Sequence, residues 1–198
     1  KSINYDVHML TFKKKYFLII KSIKDVDLSN IKKHNKFNII YRNNNKLENI
    51  DKLRKFRTCC KSKNIGFYIS NNIKQAILLK ADGLYISANN IDLRFIKVKN
   101  FNLKIIGSAH NIRELNIKNT QGCTNILFSR LFKTSYHFKL GYLGVVKFNL
   151  FKILVRKKLV PLGGIRIANL NSLKIVNCNS IALLSEIKNQ PNVIKRFF

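Results

Sequence analysis

The segment LKIIGSAHNIRELNIKNTQGCTNILF, residues 103–128, contains two short apolar runs separated by a longer stretch with helical spacing. The runs cover residues 103–106 and 125–128, and the stretch between them covers residues 112–119. Short apolar runs bounded by polar turns are typical of buried strands. A strand, a helix and a second strand in this order predict one unit of a parallel sheet.

The same alternation extends from this segment towards both ends of the chain. Eight apolar runs predict strands, at residues 16–20, 37–41, 65–69, 83–86, 103–106, 125–128, 159–162 and 180–184. The intervening segments predict helices at residues 28–35, 47–62, 73–80, 93–97, 112–119, 147–157 and 168–176. Eight strands alternating with helices in 198 residues predict an α/β fold, a single (β/α)8 TIM barrel near the lower size limit of that architecture.

An open doubly wound sheet is the competing architecture. It usually carries a glycine-rich turn after the first strand, whereas the turn here, residues 21–25, reads KSIKD. With two prolines, eight glycines and no stretch rich in Gly, Ser or Pro, the sequence also contains no interdomain linker. We therefore expect one domain over residues 1–198.

The charge of the chain is strongly positive. Thirty-eight Lys and Arg residues against nine Asp and Glu residues give +29, with 46% hydrophobic residues, which excludes a disordered polycation. The longest basic runs, residues 13–15 and 156–158, have only three members, so no concentrated nucleic-acid site is predicted. A positive field attracts phosphorylated small molecules, and these are the expected partners, with no specific nucleic acid and no membrane.

The four cysteines, Cys59, Cys60, Cys123 and Cys178, form no C-x-x-C pair. This pattern favours reduced thiols. The longest apolar run near the start, residues 16–20, is too short for a signal peptide or a membrane span. Both observations predict a cytoplasmic protein.

Polar residues follow the predicted strands, at the end of a barrel where active sites are built. Gly163 and Gly164 follow the seventh strand, where glycine backbone N–H groups and a helix start commonly bind phosphate. Ser108 and His110 follow the fifth strand, and Arg42 follows the second, where a guanidinium can bind an anion. No strand end carries a carboxylate, so the pattern predicts poor binding of Mg²⁺.

Several strings resemble one family over nearly the whole chain, residues 16–187. They are Ala81-Asp-Gly83, Gly107-Ser-Ala-His110, Phe132-Lys-Thr134, Gly163-Gly-Ile165 and Ala182-Leu-Leu-Ser185, in this order and spacing. Together they resemble thiamine phosphate synthase and its relative, the thiazole tautomerase. The resemblance implies a TIM barrel that couples hydroxymethylpyrimidine diphosphate to thiazole phosphate with release of pyrophosphate, using Mg²⁺.

The resemblance also implies site residues. Arg42, Ser108 and His110 are the implied catalytic residues, and Arg42 also binds the diphosphate. Implied substrate-binding residues are Asn71, Asn90, Arg130, Thr134 and His137, and implied phosphate-binding residues are Gly163, Gly164, Leu184 and Ser185.

The chain departs from the family pattern at several of these positions. The two Mg²⁺-binding Asp residues become Asn71 and Asn90, a His becomes Tyr85, and the tautomerase His becomes Arg130. Two negative charges are thereby lost. We hypothesise that Arg130 and lysines such as Lys46, Lys74 or Lys133 neutralise the diphosphate in place of a metal. A non-catalytic member that binds a phosphorylated thiazole or thiamine phosphate is the alternative function.

Overall fold

The computed structural model describes residues 15–31, 35–43, 48–134, 141–155 and 158–184. Eight strands are present in this part of the chain: β1 (Lys15–Ile20), β2 (Phe37–Tyr41), β3 (Gly66–Ser70), β4 (Gly83–Ile86), β5 (Lys104–Ala109), β6 (Asn125–Ser129), β7 (Lys158–Leu162) and β8 (Ser180–Leu183). The α-helices there are α1 (Ile50–Ser62), α2 (Ile73–Leu78), α3 (Ile112–Thr120) and α4 (Gly144–Leu154).

The strands form a closed barrel in sequence order, and every neighbouring pair is parallel. The barrel closes between the first and last strands, where Tyr16 pairs with Ile181 and Leu18 pairs with Leu183. The predicted (β/α)8 TIM barrel is confirmed. Since all strands are parallel, their carboxyl ends lie at one end of the barrel, which we call the rim.

Alternation along each strand divides the core into two layers. One layer fills the inside of the barrel and is built from Phe17, Ile19, Ile40, Tyr68, Tyr85, Ile106, Leu127, Val160 and Ala182. The neighbouring residues of the same strands, such as Leu18, Ile39 and Phe128, belong to the layer between the barrel and the helices. Burial on both faces explains why the strands appear in the sequence as continuous apolar runs.

In the described residues, three of the predicted helices have 3-10 rather than α-helical geometry. The described part of the first segment, residues 28–31 and 35, includes a 3-10 turn at Leu28–Asn30. Residues 93–97 lie in the 3-10 helix Leu93–Phe101, and residues 168–173 of the third segment lie in the 3-10 helix Ile167–Leu173. In the second of these the buried residues Phe95 and Val98 are three apart, which matches the three-residue turn. The third contains two Asn residues and a Ser, whose side chains compete with the helical backbone bonds.

At the end of the barrel opposite the rim, Asp82 anchors α1 to the sheet. Its carboxylate accepts from Arg57 Nη2 at 2.8 Å and from the Phe67 backbone N–H at 2.7 Å. Arg57 also donates to the Lys80 carbonyl at 3.0 Å. Asp82 therefore has a structural role, which explains its place in the Ala81-Asp-Gly83 string.

Of the four cysteines, Cys59 is exposed, and Cys60, Cys123 and Cys178 are buried. The helices in the described ranges are all too short or too polar to cross a membrane.

Candidate functional site

The rim gathers most of the predicted site residues. Each follows the end of a strand: Arg42 after β2, Asn71 after β3, Asn90 after β4, His110 after β5, Arg130 and Thr134 after β6, Gly163 and Gly164 after β7, and Leu184 after β8. Ser108 lies within β5, which is longer than predicted. His137, Ser185 and Lys46 lie outside the described residues.

The loops after β3 and β4 are joined by an amide cluster of Asn71, Ser87 and Asn90. Asn71 Oδ1 accepts from the Ser87 backbone N–H at 3.0 Å and from Asn90 Nδ2 at 3.2 Å, and Asn71 Nδ2 donates to Ser87 Oγ at 2.8 Å. Asn71 has a φ of +54°, a left-handed conformation that Asn tolerates better than most residues. The structure thus brings together Asn71 and Asn90, the two positions at which the resemblance implies metal-binding Asp residues in the family.

This cluster does not fit a magnesium ion. Mg²⁺ sites are built on carboxylates, whereas Asn71 and Asn90 are neutral, and the Asn71 amide oxygen already accepts two hydrogen bonds. Within the described ranges no three His, Cys, Asp or Glu side chains group where they can hold a metal ion.

Beneath the rim, Tyr85 and Ser108 form a buried pair inside the barrel. The Tyr85 hydroxyl donates to Ser108 Oγ at 2.8 Å, and both residues are almost fully buried. Burial raises the pKa of Tyr85, while the bond to Ser108 and the charge of Arg42 act in the opposite direction. Tyr85 therefore remains a protonated donor at neutral pH, and Ser108 keeps its own proton for a ligand.

A second cluster joins the loops after β6 and β7. Arg130 Nη1 donates to Thr134 Oγ1 at 3.3 Å, and the Phe132 N–H donates to the Gly163 carbonyl at 3.0 Å. A Cβ on Gly163 would lie 3.1 Å from Arg130 Cγ, so the arginine side chain lies against the glycine backbone. Arg130, Thr134 and Gly163 are thus neighbours.

Gly164 brings the β7 loop into backbone contact with the β6 loop. Its φ is +69°, and a Cβ at this position would lie 2.5 Å from the Phe132 carbonyl oxygen and 2.6 Å from that of Lys133. Among the described residues its N–H has no hydrogen-bond acceptor. This N–H is available to bind an anion.

His110 is attached to the start of α3. Its Nδ1 lies 2.9 Å from Glu114 Oε2, and its backbone N–H donates to the same oxygen at 2.7 Å. His110 borders a groove of about 520 Å³ between α3 and α4, lined also by Arg113, Phe128 and Phe151. The hydrogen bonds of the described residues do not connect His110 with Ser108 or with the amide cluster.

Sequence reasoning missed Glu114, Lys118 and Gln121, all on or just after α3. The signal for Glu114 is the N-x-x-E spacing from Asn111, which caps the helix. The signal for Lys118 is its position three residues after the buried Leu115, on the same helix face. Lysine is rarely buried, so its residue type alone favours a solvated position.

Comparison with known proteins gives a consistent result. The sequence profile of a family described as thiamine monophosphate synthase matches residues 31–187. A thiamine-phosphate synthase of Clostridioides difficile is 26% identical over 149 residues, which cover 75% of this chain and 71% of that protein. A thiamine-phosphate synthase of Prochlorococcus marinus subsp. pastoris is 30% identical over 134 residues, covering 66% of this chain.

The chain spans only part of some relatives. The match covers 37% of that Prochlorococcus protein and 40% of a second Prochlorococcus marinus synthase. Among solved structures, thiamine phosphate pyrophosphorylase from Pyrococcus furiosus aligns with a TM-score of 0.68 and 16% identity, over 96% of this chain and 99% of that one. At this identity the structural likeness shows the shared fold.

Proposed function

Since this chain belongs to the thiamine monophosphate synthase family, we propose that it joins a hydroxymethylpyrimidine diphosphate to a thiazole phosphate and releases pyrophosphate. The bond between the pyrimidine methylene carbon and the diphosphate oxygen breaks, and its electron pair leaves with pyrophosphate. The thiazole ring nitrogen then supplies the electron pair of the new C–N bond. Such a reaction depends on positioning and on charge stabilisation more than on a general acid or base.

The observation that carries this proposal is the convergence of two kinds of anion-binding group at one rim. Arg42 and Arg130 follow β2 and β6 and supply guanidinium groups for a diphosphate. Gly163 and Gly164 follow β7, where the Gly164 N–H, which has no acceptor among the described residues, suits the phosphate of the thiazole. Two substrates that each carry phosphate need two such groups.

The interior of the barrel below the rim supplies neutral polar groups. The Ser108 hydroxyl, which accepts from Tyr85, has its own proton to donate to a ring nitrogen or hydroxyl of a substrate. Asn71 and Asn90 each keep a side-chain N–H that can donate a hydrogen bond to the diphosphate. These groups orient substrate without adding negative charge beside the leaving pyrophosphate.

The test is a product assay on the purified protein with both substrates, in EDTA and in Mg²⁺. Mass spectrometry detects thiamine phosphate, and a coupled assay measures pyrophosphate. We expect both products to appear in equal amounts. If neither product forms in EDTA or in Mg²⁺, the proposed synthase activity is contradicted.

Arg42 provides the sharper test. We expect Arg42→Ala to lower kcat/KM about 100-fold, because a charged donor to the leaving group is lost. Arg54→Ala is the matched control, since Arg54 lies on α1 with its guanidinium exposed and paired to Asp51. Equal activity of the two variants would contradict the role of Arg42.

A non-catalytic phosphate-binding member is the second candidate function. The observation that favours it is the loss of both carboxylates at Asn71 and Asn90. Calorimetric binding of thiazole phosphate with no product from the full mixture would support this candidate over the synthase.

A further inference from the structure

A lysine side chain is completely buried beneath the loop that follows β4. Lys118, on α3, has no exposed surface. Its Nζ donates to the Asn90 carbonyl oxygen at 2.6 Å and to Gln121 Oε1 at 2.8 Å. Distances this short to two oxygen acceptors are typical of a charged ammonium donor. A buried cation is costly, so its position calls for a physical reason.

Gln121 reinforces the same contact. Its Nε2 donates to the Asn90 carbonyl at 2.9 Å and to the Asp92 carbonyl at 3.0 Å. Lys118 on α3 and Gln121 just after it therefore hold the backbone of the β4 loop at Asn90. Through Asn90 Nδ2, which donates to Asn71 Oδ1, this support extends to the amide cluster at the rim.

The carboxylates near this ammonium have other partners. Glu114 is hydrogen-bonded to His110 and Asn111, and Asp92 pairs with Arg94 at 2.8 Å. In the part of the chain that the structure describes, Lys118 makes no ion pair. Its positive charge therefore acts on the loop and on the neutral amides beyond it, and it is weakly screened because water is excluded.

We propose that Lys118 is a positioning residue that fixes the Asn90 loop and places a buried positive charge on this side of the rim, so that the site binds a diphosphate without a metal ion. The proposal rests on the proposed function for the identity of the substrate. It accounts jointly for the neutral Asn71 and Asn90, where the family pattern has Asp, and for the buried cation that contacts Asn90.

The direct test is calorimetry with inorganic pyrophosphate on the full chain, in EDTA and then in Mg²⁺. We expect the wild type to bind pyrophosphate in EDTA and to bind it no more tightly in Mg²⁺. Lys118→Met, which keeps the length of the side chain and removes its charge, is expected to weaken binding in EDTA about tenfold or more. Lys152→Met is the matched control, since Lys152 is a helical lysine that contacts Asn177 ahead of β8, away from the rim.

A second variant covers the case in which Lys118→Met does not fold. Asn90→Asp adds a carboxylate at a partly exposed position, and we expect it to weaken pyrophosphate binding in EDTA and to make binding respond to Mg²⁺. If pyrophosphate binds Asn90→Asp and wild type equally in EDTA, or if folded Lys118→Met binds like wild type, the proposal is overturned.

Kinetics separate positioning from a general loss of structure. We expect Lys118→Met to raise KM for the diphosphate substrate and to leave KM for the thiazole phosphate unchanged, whereas a general loss of structure would affect both. Wild-type binding of pyrophosphate only in Mg²⁺ would overturn this inference and leave the synthase proposal intact. Metal-free binding of pyrophosphate with no product would overturn the synthase proposal and support this inference.

Discussion

Gly164 sets the distance between two loops of the rim because it has no side chain. Its left-handed φ disfavours a Cβ at this position, and the carbonyl oxygens of Phe132 and Lys133 leave no room for one. The contact fixes the β7 loop against the β6 loop, which carries Arg130 and Thr134. A single glycine thus positions two of the groups proposed to bind phosphate.

We expect Gly164→Ala to lower the free energy of unfolding by about 3 kcal/mol, because the new methyl group meets backbone that cannot move independently. Gly144→Ala is the matched control: Gly144 has nearly the same φ, +70°, and a Cβ at that position would have no neighbouring atom within 4 Å. We expect that variant to lose only about 1 kcal/mol from backbone strain. Urea denaturation measures both, and equal losses would contradict the close-contact explanation.

At the scale of one element, α3 supports the rim from both of its ends. Its first turn holds His110 through Glu114, and its last turn holds the β4 loop through Lys118 and Gln121. Asn111 caps the helix by accepting from the Glu114 N–H, and Glu114 accepts in return from Asn111 Nδ2. Stability of this helix is therefore linked to the geometry of two strand ends.

The Glu114 carboxylate makes this stability depend on pH. Partial burial acts to raise the pKa of Glu114, but hydrogen bonds from the His110 backbone and ring and from Asn111 outweigh it, so the pKa lies below its ordinary 4.5. A lowered folded-state pKa stabilises the protein above pH 4.5, and this contribution disappears as the pH falls through the lowered value.

We expect Glu114→Gln to lose about 1 kcal/mol of unfolding free energy at neutral pH. The difference from wild type should close as the medium is acidified below pH 4.5, because the wild-type carboxyl then becomes neutral as well. Urea denaturation over a pH series measures this difference. A gap that stays constant into acid would show that charge on Glu114 contributes nothing.

The link from α1 to the sheet gives a prediction for the opposite end of the barrel. We expect Asp82→Ala to lower the free energy of unfolding by about 2–3 kcal/mol, because the mostly buried Arg57 and the Phe67 N–H lose a charged acceptor. Asp51→Ala is the control, since Asp51 pairs with Arg54 at an exposed position, where such pairs contribute about 0–1 kcal/mol. Thermal unfolding compares the two, and an equal effect would contradict the anchoring role of Asp82.

For the whole molecule, the +29 charge is the dominant long-range property. It attracts anions of every kind, whereas the rim groups are proposed to select phosphorylated ligands at short range. The net charge and the rim groups thus act at different distances. We expect the net charge to attract nucleic acids of any base sequence.

We expect double-stranded DNA to bind weakly, with Kd of about 10⁻⁴–10⁻⁶ M at physiological salt and with steep loss of affinity as salt rises. Fluorescence anisotropy with two unrelated duplexes over a salt series measures both properties. A preference of more than about 1,000-fold for one duplex would instead indicate a specific nucleic-acid site.

Local pattern determined most of the architecture. Predicted strands 37–41 and 83–86 coincide with β2 and β4, and the others differ by one to three residues at an end. Burial on both faces leaves a continuous apolar run, which is visible without knowledge of the neighbours. The sequence also indicated Asn71, Asn90, Arg130, Gly163 and Gly164 as rim residues, since parallel strands place their carboxyl ends together.

Contacts between distant residues were decided only by the closed barrel. Lys118 and Asn90 are 28 residues apart, and Tyr85 and Ser108 are 23 apart, so no local period indicates that either pair meets. The buried state of Lys118 depends on the β4 loop that covers it, and the strict need for glycine at 164 depends on the β6 loop. Sequence by itself therefore determined which elements form and which residues reach the rim, whereas tertiary packing decided which of them touch, because those contacts depend on strand neighbours far away in the chain.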